Sequence, residues 1–181
     1  MKNYLFVLGR DPELSKIEIE SYLESHDINY TIIEYSEEIA VVKTEIDAKM
    51  MINDLGGTIK IAEAISASNR IEDIEENLEK YDVYKGTSNK TEYYITDYGS
   101  RITSLVEDYL KDYFKRIKVK AIYRTKAEPT KLLKKDLKKV VDLIVYKNYI
   151  GITKAVTDVI EQKARDLGRP SVDYMKVISI R

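Results

Sequence analysis

The chain has 181 residues, of which 44% are hydrophobic, which is enough to build one large domain or two small ones. It contains no cysteine, and this excludes disulfide frameworks, thiolate zinc sites and cysteine nucleophiles. The net charge of −1 is unevenly spread: residues 1–80 hold 8 Lys and Arg against 18 Asp and Glu, whereas residues 81–181 hold 22 against 13. This asymmetry predicts a basic surface in the second half that meets a polyanion.

The beginning of the chain carries one short apolar run, from Tyr4 to Leu8. Such a run is far too short for the core of a signal peptide or for a membrane span. With the lack of cysteine, which suits a reducing interior, it predicts a cytoplasmic protein with no membrane partner.

Residues 1–70 follow the order β-α-β-β-α-β of a ferredoxin-like domain. The predicted elements are a strand over 4–8, a helix from 12 to about 26, strands over 30–35 and 39–43, a helix over 46–55 and a strand over 59–65. Asp11 and Pro12 provide the N-cap and first turn of the first helix, and Gly56 is a predicted C-cap of the second. The buried side of the first helix is expected to comprise Leu14, Ile17, Ile19, Tyr22 and Leu23.

Residues 71–90 are predicted to form an acidic helix followed by a linker. Five acidic residues fall between Glu72 and Glu79, and apolar residues recur among them at helical spacing, which indicates an exposed acidic face. The polar stretch from Lys85 to Lys90 is the predicted domain boundary.

Residues 91–170 form the second predicted domain, and residues 171–181 a linker stub. The predicted elements of the second domain are a strand over 92–96, a helix over 101–116, a strand over 117–123, a helix over 129–139, strands over 140–145 and 149–155, and a closing helix over 160–167. Most of the 15 tyrosines are predicted core residues, such as Tyr109 and Tyr113, which lie on the apolar stripe of the long helix. The fold class is therefore predicted to be α+β.

Residues 111–139 hold 12 Lys and Arg against 3 acidic residues. This density fits a surface that neutralises phosphates, and it equally fits the solvated side of an amphipathic segment. Tyr123 either contacts a base or packs in the core, and a smaller cluster at Arg165 and Arg169 either contacts RNA or holds the linker to its domain. The candidate RNA-binding residues are Tyr123, Arg124, Lys126, Lys131, Lys134, Lys135, Lys138, Lys139, Arg165 and Arg169.

Other possible sites carry weaker signals. His26 is the sole histidine and is predicted to lie on the surface, without the converging partners of a metal ligand or general base. Gly56-Gly57 lacks the context of a phosphate-binding loop and is predicted to be a turn. We therefore predict no catalytic residue, no cofactor and no metal.

Three stretches carry a resemblance to a known family: YLFVLGRDPELSKIEIESYL at 4–23, LGGTIKIAEAI at 55–65 and YIGITKAVTDVIEQKARDLGRP at 149–170. Occurring in this order, they resemble the N-terminal region of the archaeal Trm-type methyltransferases that modify guanosine 10 of tRNA. The resemblance implies a ferredoxin-like domain followed by a THUMP domain. It also implies that the basic residues of the second domain contact the acceptor end of tRNA.

The chain departs from that family in one respect. The family continues into a methyltransferase domain with a glycine-rich methyl-donor loop and an (Asn/Asp)-Pro-Pro-Tyr motif, whereas none of the three prolines of this chain adjoins another. The resemblance therefore implies a tRNA-binding module, truncated or naturally stand-alone, that grips the 3′ CCA end and positions tRNA for a linked or separate methyltransferase. The alternative is a THUMP adaptor protein that recruits a separate RNA-modifying enzyme such as a tRNA acetyltransferase.

Overall fold

The computed structural model describes residues 1–124, 137 and 139–157. The first half contains β1 (Lys2–Leu8), α1 (Pro12–Ser25), β2 (Thr31–Tyr35), β3 (Ile39–Thr44), α2 (Ala48–Asp54) and β4 (Thr58–Ala67). The second half contains α3 (Ile71–Tyr81), β5 (Lys90–Asp97), α4 (Thr103–Arg116), β6 (Lys120–Arg124), β7 (Val141–Tyr146) and β8 (Tyr149–Val156). No helix among these residues is long and apolar enough to cross a membrane.

Several predictions fall on residues outside the described ranges. These are the closing helix over 160–167, the linker stub over 171–181 and most of the predicted helix over 129–139. The same applies to the candidate residues Lys126, Lys131, Lys134, Lys135, Lys138, Arg165 and Arg169.

The eight strands form one sheet in the order β2-β3-β1-β4-β8-β7-β5-β6. The first four strands are antiparallel and have the order predicted for a ferredoxin-like unit. In the second half, β5 runs parallel to both β6 and β7, while β7 and β8 form an antiparallel hairpin. The antiparallel pairing of β4 with β8 joins the two halves, so hydrogen bonding is continuous across both predicted domains. The position of the domain boundary stays a prediction.

All four helices lie on one face of this sheet. Ile61 on β4 belongs to the apolar cluster under α1 and α2. Two residues further along β4, Glu63 pairs with Ile152 on β8, and Ile152 packs against the apolar cluster under α3 and α4. Residues i and i+2 of a strand point to the same face, so both clusters share that face. The opposite face, called the helix-free face below, carries no helix among the described residues.

The helix-free face is nevertheless partly buried, because the sheet curls. One apolar cluster on it combines Leu5 and Val41 from the first half with Ile144 and Tyr146 from the second. At its rim, Lys147 Nζ in the β7–β8 turn lies 2.5 Å from Glu34 Oε2 on the distant strand β2. The two halves of the helix-free face therefore pack against each other.

The helix α1 begins and ends as predicted, but two residues that the sequence predicts to be buried are exposed. Leu14 and Ile17 are 53% and 55% exposed, whereas Ser15, Ile19 and Leu23 are buried. The spacing of four residues places these three on one side of the helix. The Ser15 hydroxyl donates to the carbonyl oxygen of Gly57 at 2.8 Å, and the small Ser15 side chain allows the beginning of β4 to approach α1 closely.

Three predicted boundaries also need correction. Helix α2 begins at Ala48 because the Asp47 carboxylate caps its first turn, and it ends at an extended Leu55 and not at a glycine cap. Strand β6 begins at Lys120 and not at residue 117, because Lys118 adopts a left-handed conformation with a φ of 57°.

Gly57 is expected to tolerate no side chain. A Cβ atom there would lie 2.5 Å from Ser15 Oγ and 2.8 Å from Glu18 Oε2, which itself accepts a 2.6 Å hydrogen bond from Gly57 N. We expect Gly57→Ala to lower the free energy of unfolding by about 1–3 kcal/mol, measured by urea denaturation. The control is Gly56→Ala, whose Cβ would meet only the flexible end of Glu18 at 3.2 Å. Equal stability of both variants would contradict this packing.

Candidate nucleic-acid interface

The edge strand β6 presents alternating side chains to the two faces of the sheet. Tyr123 pairs with Tyr93, which belongs to the core under α4, so both point to the helix face. Lys120, Ile122 and Arg124 therefore lie on the helix-free face, and all three are exposed. The exposed row of β6 thus has a cation at each end and an apolar residue between them.

Tyr123, a predicted RNA contact, is half-buried in the core. Its ring stacks on Tyr93 with a centroid distance of 5.2 Å, and Tyr93 in turn lies 5.1 Å from the ring of Phe114. Burial raises the pKa of the Tyr123 phenol above its usual value. This position favours the packing interpretation, and contact between Tyr123 and a base stays a prediction.

Arg124, also a predicted contact, reaches the surface. Its side chain is 56% exposed, and its Nη2 lies 3.9 Å from Glu92 Oε1, beyond hydrogen-bonding distance. Glu92 uses its other oxygen to accept a 2.6 Å hydrogen bond from the Tyr94 hydroxyl. Because exposed pairs of this kind contribute at most about 1 kcal/mol, a phosphate can compete for the guanidinium.

Lys139, the third described candidate, lies beside the beginning of β5. Its carbonyl oxygen accepts a 2.6 Å hydrogen bond from Thr91 Oγ1, while its side chain is exposed. Thr91 follows Lys90, which pairs across the parallel ladder with Lys120. The parallel strands β5, β6 and β7 therefore begin at the same end of the sheet and bring these lysines together.

We define the basic edge as Lys90, Lys118, Lys120 and Lys139. All four side chains are exposed, and none has an ion-pair partner within residues 1–124 and 139–157. The sequence places Lys90 at the predicted domain boundary and Lys118 and Lys120 within the predicted strand over 117–123, so none of the three is among the candidate residues. The alternation of Lys118 and Lys120 was the one signal in the sequence that could have included them.

The helix face carries the opposite charge. The acidic residues predicted on α3 are found there, and a groove of about 380 Å³ between α3 and α4 is lined by Glu75, Glu79, Asp108 and Asp112. Arg116 in this groove is held by Glu79, with 2.9 Å between Nη1 and Oε1. A polyanion is therefore repelled by this groove and attracted to the basic edge.

His26 lies at the C-terminal end of α1, where its Nδ1 is 2.8 Å from the carbonyl oxygen of Tyr22. Its exposed position agrees with the prediction of a surface residue. Within the described part of the chain, no cluster of three or more His, Asp or Glu residues is arranged to hold a metal ion.

No protein family and no curated protein matches the chain by sequence. Among solved structures, it is similar to a 4-thiouridine synthetase in complex with RNA and ATP, with a TM-score of 0.50, 11% identity and coverage of 87% of this chain and 42% of that one. A second similar structure is a possible methylase from Clostridium difficile 630, with a TM-score of 0.44, 13% identity and coverage of 84% and 41%. The chain thus spans about two fifths of the length of these proteins.

The similarity to the 4-thiouridine synthetase is a similarity of fold, because only 11% of the residues are identical. It agrees with the eight-stranded sheet and the four helices of this chain. The predicted α+β fold class is confirmed.

Proposed function

We propose that the chain is a tRNA-binding module of the THUMP type, which grips the acceptor end of tRNA and positions it for guanosine methylation by a linked or separate methyltransferase. The observation that carries this proposal is the basic edge, where four exposed lysines lie near the beginning of β5, β6 and β7 without acidic partners among the described residues. The similarity in fold to a protein solved with bound RNA supports it, and so does the resemblance of the three sequence stretches to tRNA methyltransferases.

The module acts by binding and orientation, with no reaction of its own. The described basic side chains are those of a phosphate-binding surface, because lysine and arginine neutralise phosphates along an RNA backbone. Three cations of this surface, Lys90, Lys120 and Arg124, occupy the exposed sides of two neighbouring strands. A rigid sheet under such residues keeps a bound RNA in one orientation relative to an attached enzyme.

A second candidate function is that of an adaptor protein which recruits a separate RNA-modifying enzyme such as a tRNA acetyltransferase. The acidic groove between α3 and α4 favours it, since this groove is suited to a basic protein surface and unsuited to RNA. The two functions share the RNA-binding step and differ in what the helix face contacts.

Removing the terminal CCA from tRNA is expected to weaken binding at least about tenfold. The unstacked bases of this tail offer edges and faces that an A-form duplex hides, and each lost contact is worth about 1 kcal/mol or more. The measurement is a titration of one tRNA with and without its tail, at equal salt concentration.

A duplex RNA of similar length serves as the control, because a surface that recognises only phosphates binds all three RNAs alike. Equal affinities for the intact and the shortened tRNA would leave RNA binding in place and remove the acceptor-end mechanism.

A further inference from the structure

Lys90 and Lys120 form a pair of like charges on neighbouring strands. They are direct partners in the parallel β5–β6 ladder, and the backbone N–H of Lys120 donates to the carbonyl oxygen of Asn89 at 2.8 Å. Neighbouring strands are about 4.8 Å apart, so the two side chains leave the sheet side by side. Both are exposed on the helix-free face.

Such a pair of like charges attracts an anion. Like charges directly opposite each other destabilise a sheet, and no acidic side chain in the described ranges pairs with either lysine. Glu92, the nearest acid along β5, instead accepts from the Tyr94 hydroxyl and lies toward Arg124. An anion bound between the two ammonium groups removes the repulsion.

Lys120 begins the exposed row of β6, and the other end of this row carries a second cation, Arg124. Arg124 lies four residues after Lys120, which corresponds to about 13 Å along a strand. Between them, Ile122 is 40% exposed, so that a large apolar side chain of this row is accessible to a ligand. The row thus has two cationic ends that suit phosphates and an apolar centre that suits the face of a base.

We propose that the exposed row of β6 is a track for one unpaired RNA strand, with one phosphate between Lys90 and Lys120, a further phosphate at Arg124 and a base against Ile122. This inference rests on the proposed function and specifies the form of RNA and the residues that bind it. A duplex does not fit the track equally, because its base faces are stacked and cannot reach Ile122.

The test compares a single-stranded oligoribonucleotide with a blunt RNA duplex of equal length, titrated against the full chain over a range of salt concentrations. For Lys90→Gln/Lys120→Gln we expect at least about tenfold weaker binding of the single strand. The slope of log K against log salt should also become shallower by about 0.7, since the two lysines share one phosphate and each phosphate contact of a single strand contributes about 0.7. Lys111→Gln/Lys115→Gln is the matched control, because it removes two charges from α4, where both lysines pair with acids.

Ile122→Ser separates the apolar contact from the phosphate contacts. We expect it to weaken binding of the single strand about three- to tenfold with an unchanged salt slope, and to leave duplex binding unaltered. Circular dichroism of each variant verifies that the fold is retained.

The outcomes distinguish the track from the proposed function. If the unaltered chain binds neither tRNA nor the oligonucleotide, the proposed function fails. If it binds RNA while Lys90→Gln/Lys120→Gln behaves like the α4 control, or while Ile122→Ser has no effect, the track is wrong and RNA binding stands.

Discussion

Replacing Asp142 with alanine is expected to lower the free energy of unfolding by about 3–5 kcal/mol, because it breaks a buried ion pair. The Asp142 carboxylate on β7 lies 2.8 Å from Lys60 Nζ on β4, and the two side chains are only 1% and 3% exposed. Thr153 Oγ1 on β8, between those strands, donates to the same carboxylate oxygen at 2.5 Å. Without the carboxylate, the Lys60 ammonium remains buried and unpaired.

The measurement is urea denaturation followed by circular dichroism. Asp112→Ala is the matched control, because its pair with Lys115 is exposed at both ends and is expected to contribute less than about 1 kcal/mol. A triple variant, Lys60→Met/Asp142→Leu/Thr153→Val, removes the charges and the hydroxyl together, and we expect it to recover most of the lost stability. A triple variant as unstable as Asp142→Ala would show that side-chain shape, and not an unpaired charge, accounts for the loss.

The buried pair of Lys60 and Asp142 also links the two halves of the chain. It connects β4 in the first half to β7 in the second, next to the β4–β8 pairing that joins the two halves of the sheet. The basic edge, at the beginning of β5, β6 and β7, therefore keeps a fixed position relative to the first half. A module that presents RNA to an enzyme requires such a fixed relation between its RNA-binding surface and the rest of the molecule.

The local elements of this fold could be predicted from the sequence, because their signals lie within a few residues of one another. The Asp11 carboxylate accepts from Leu14 N, as an N-cap does, and the hairpin of β2 and β3 turns at Ser36, between the two predicted strands. The joining of the two halves could not be predicted in this way. It depends on pairs such as Ala62 with Thr153, which are far apart in the chain.

Lys60 illustrates the same limit. In the sequence it lies between Ile59 and Ile61, so the alternation of a strand predicts a solvent-exposed lysine. It is buried because its partner, Asp142, is supplied by a strand 82 residues further on.

In the candidate site, the opposite directions of Tyr123 and Arg124 follow from strand alternation and could be predicted. The approach of Lys90 to Lys120 and Lys139 could not, because it depends on β6 and β7 lying on either side of β5. Pairing between distant strands is therefore what separates the predicted part of the site from the missed part.

Changing Lys134, Lys135, Lys138 and Lys139 together to glutamate is expected to abolish tRNA binding. The unaltered chain should neutralise about 4–6 phosphates, so that log K falls against log salt with a slope of about −3 to −5. Four charge reversals remove most of these contacts and add repulsion, for a loss of at least about hundredfold. Lys134, Lys135 and Lys138 lie outside the described residues, whereas Lys139 is exposed and uses only its backbone carbonyl oxygen to hold Thr91.

The sequence predicts that these four lysines are exposed, and the fold should then survive this variant, because exposed charges contribute little to stability. The measurement is therefore a tRNA titration at several salt concentrations together with a circular dichroism spectrum. Lys16→Glu/Lys43→Glu, in the acidic first half, is the control and should leave the affinity almost unchanged. A quadruple variant that unfolds would show that these lysines cover the core, and one that folds and still binds tRNA with an unchanged salt slope would place the phosphate contacts elsewhere on the molecule.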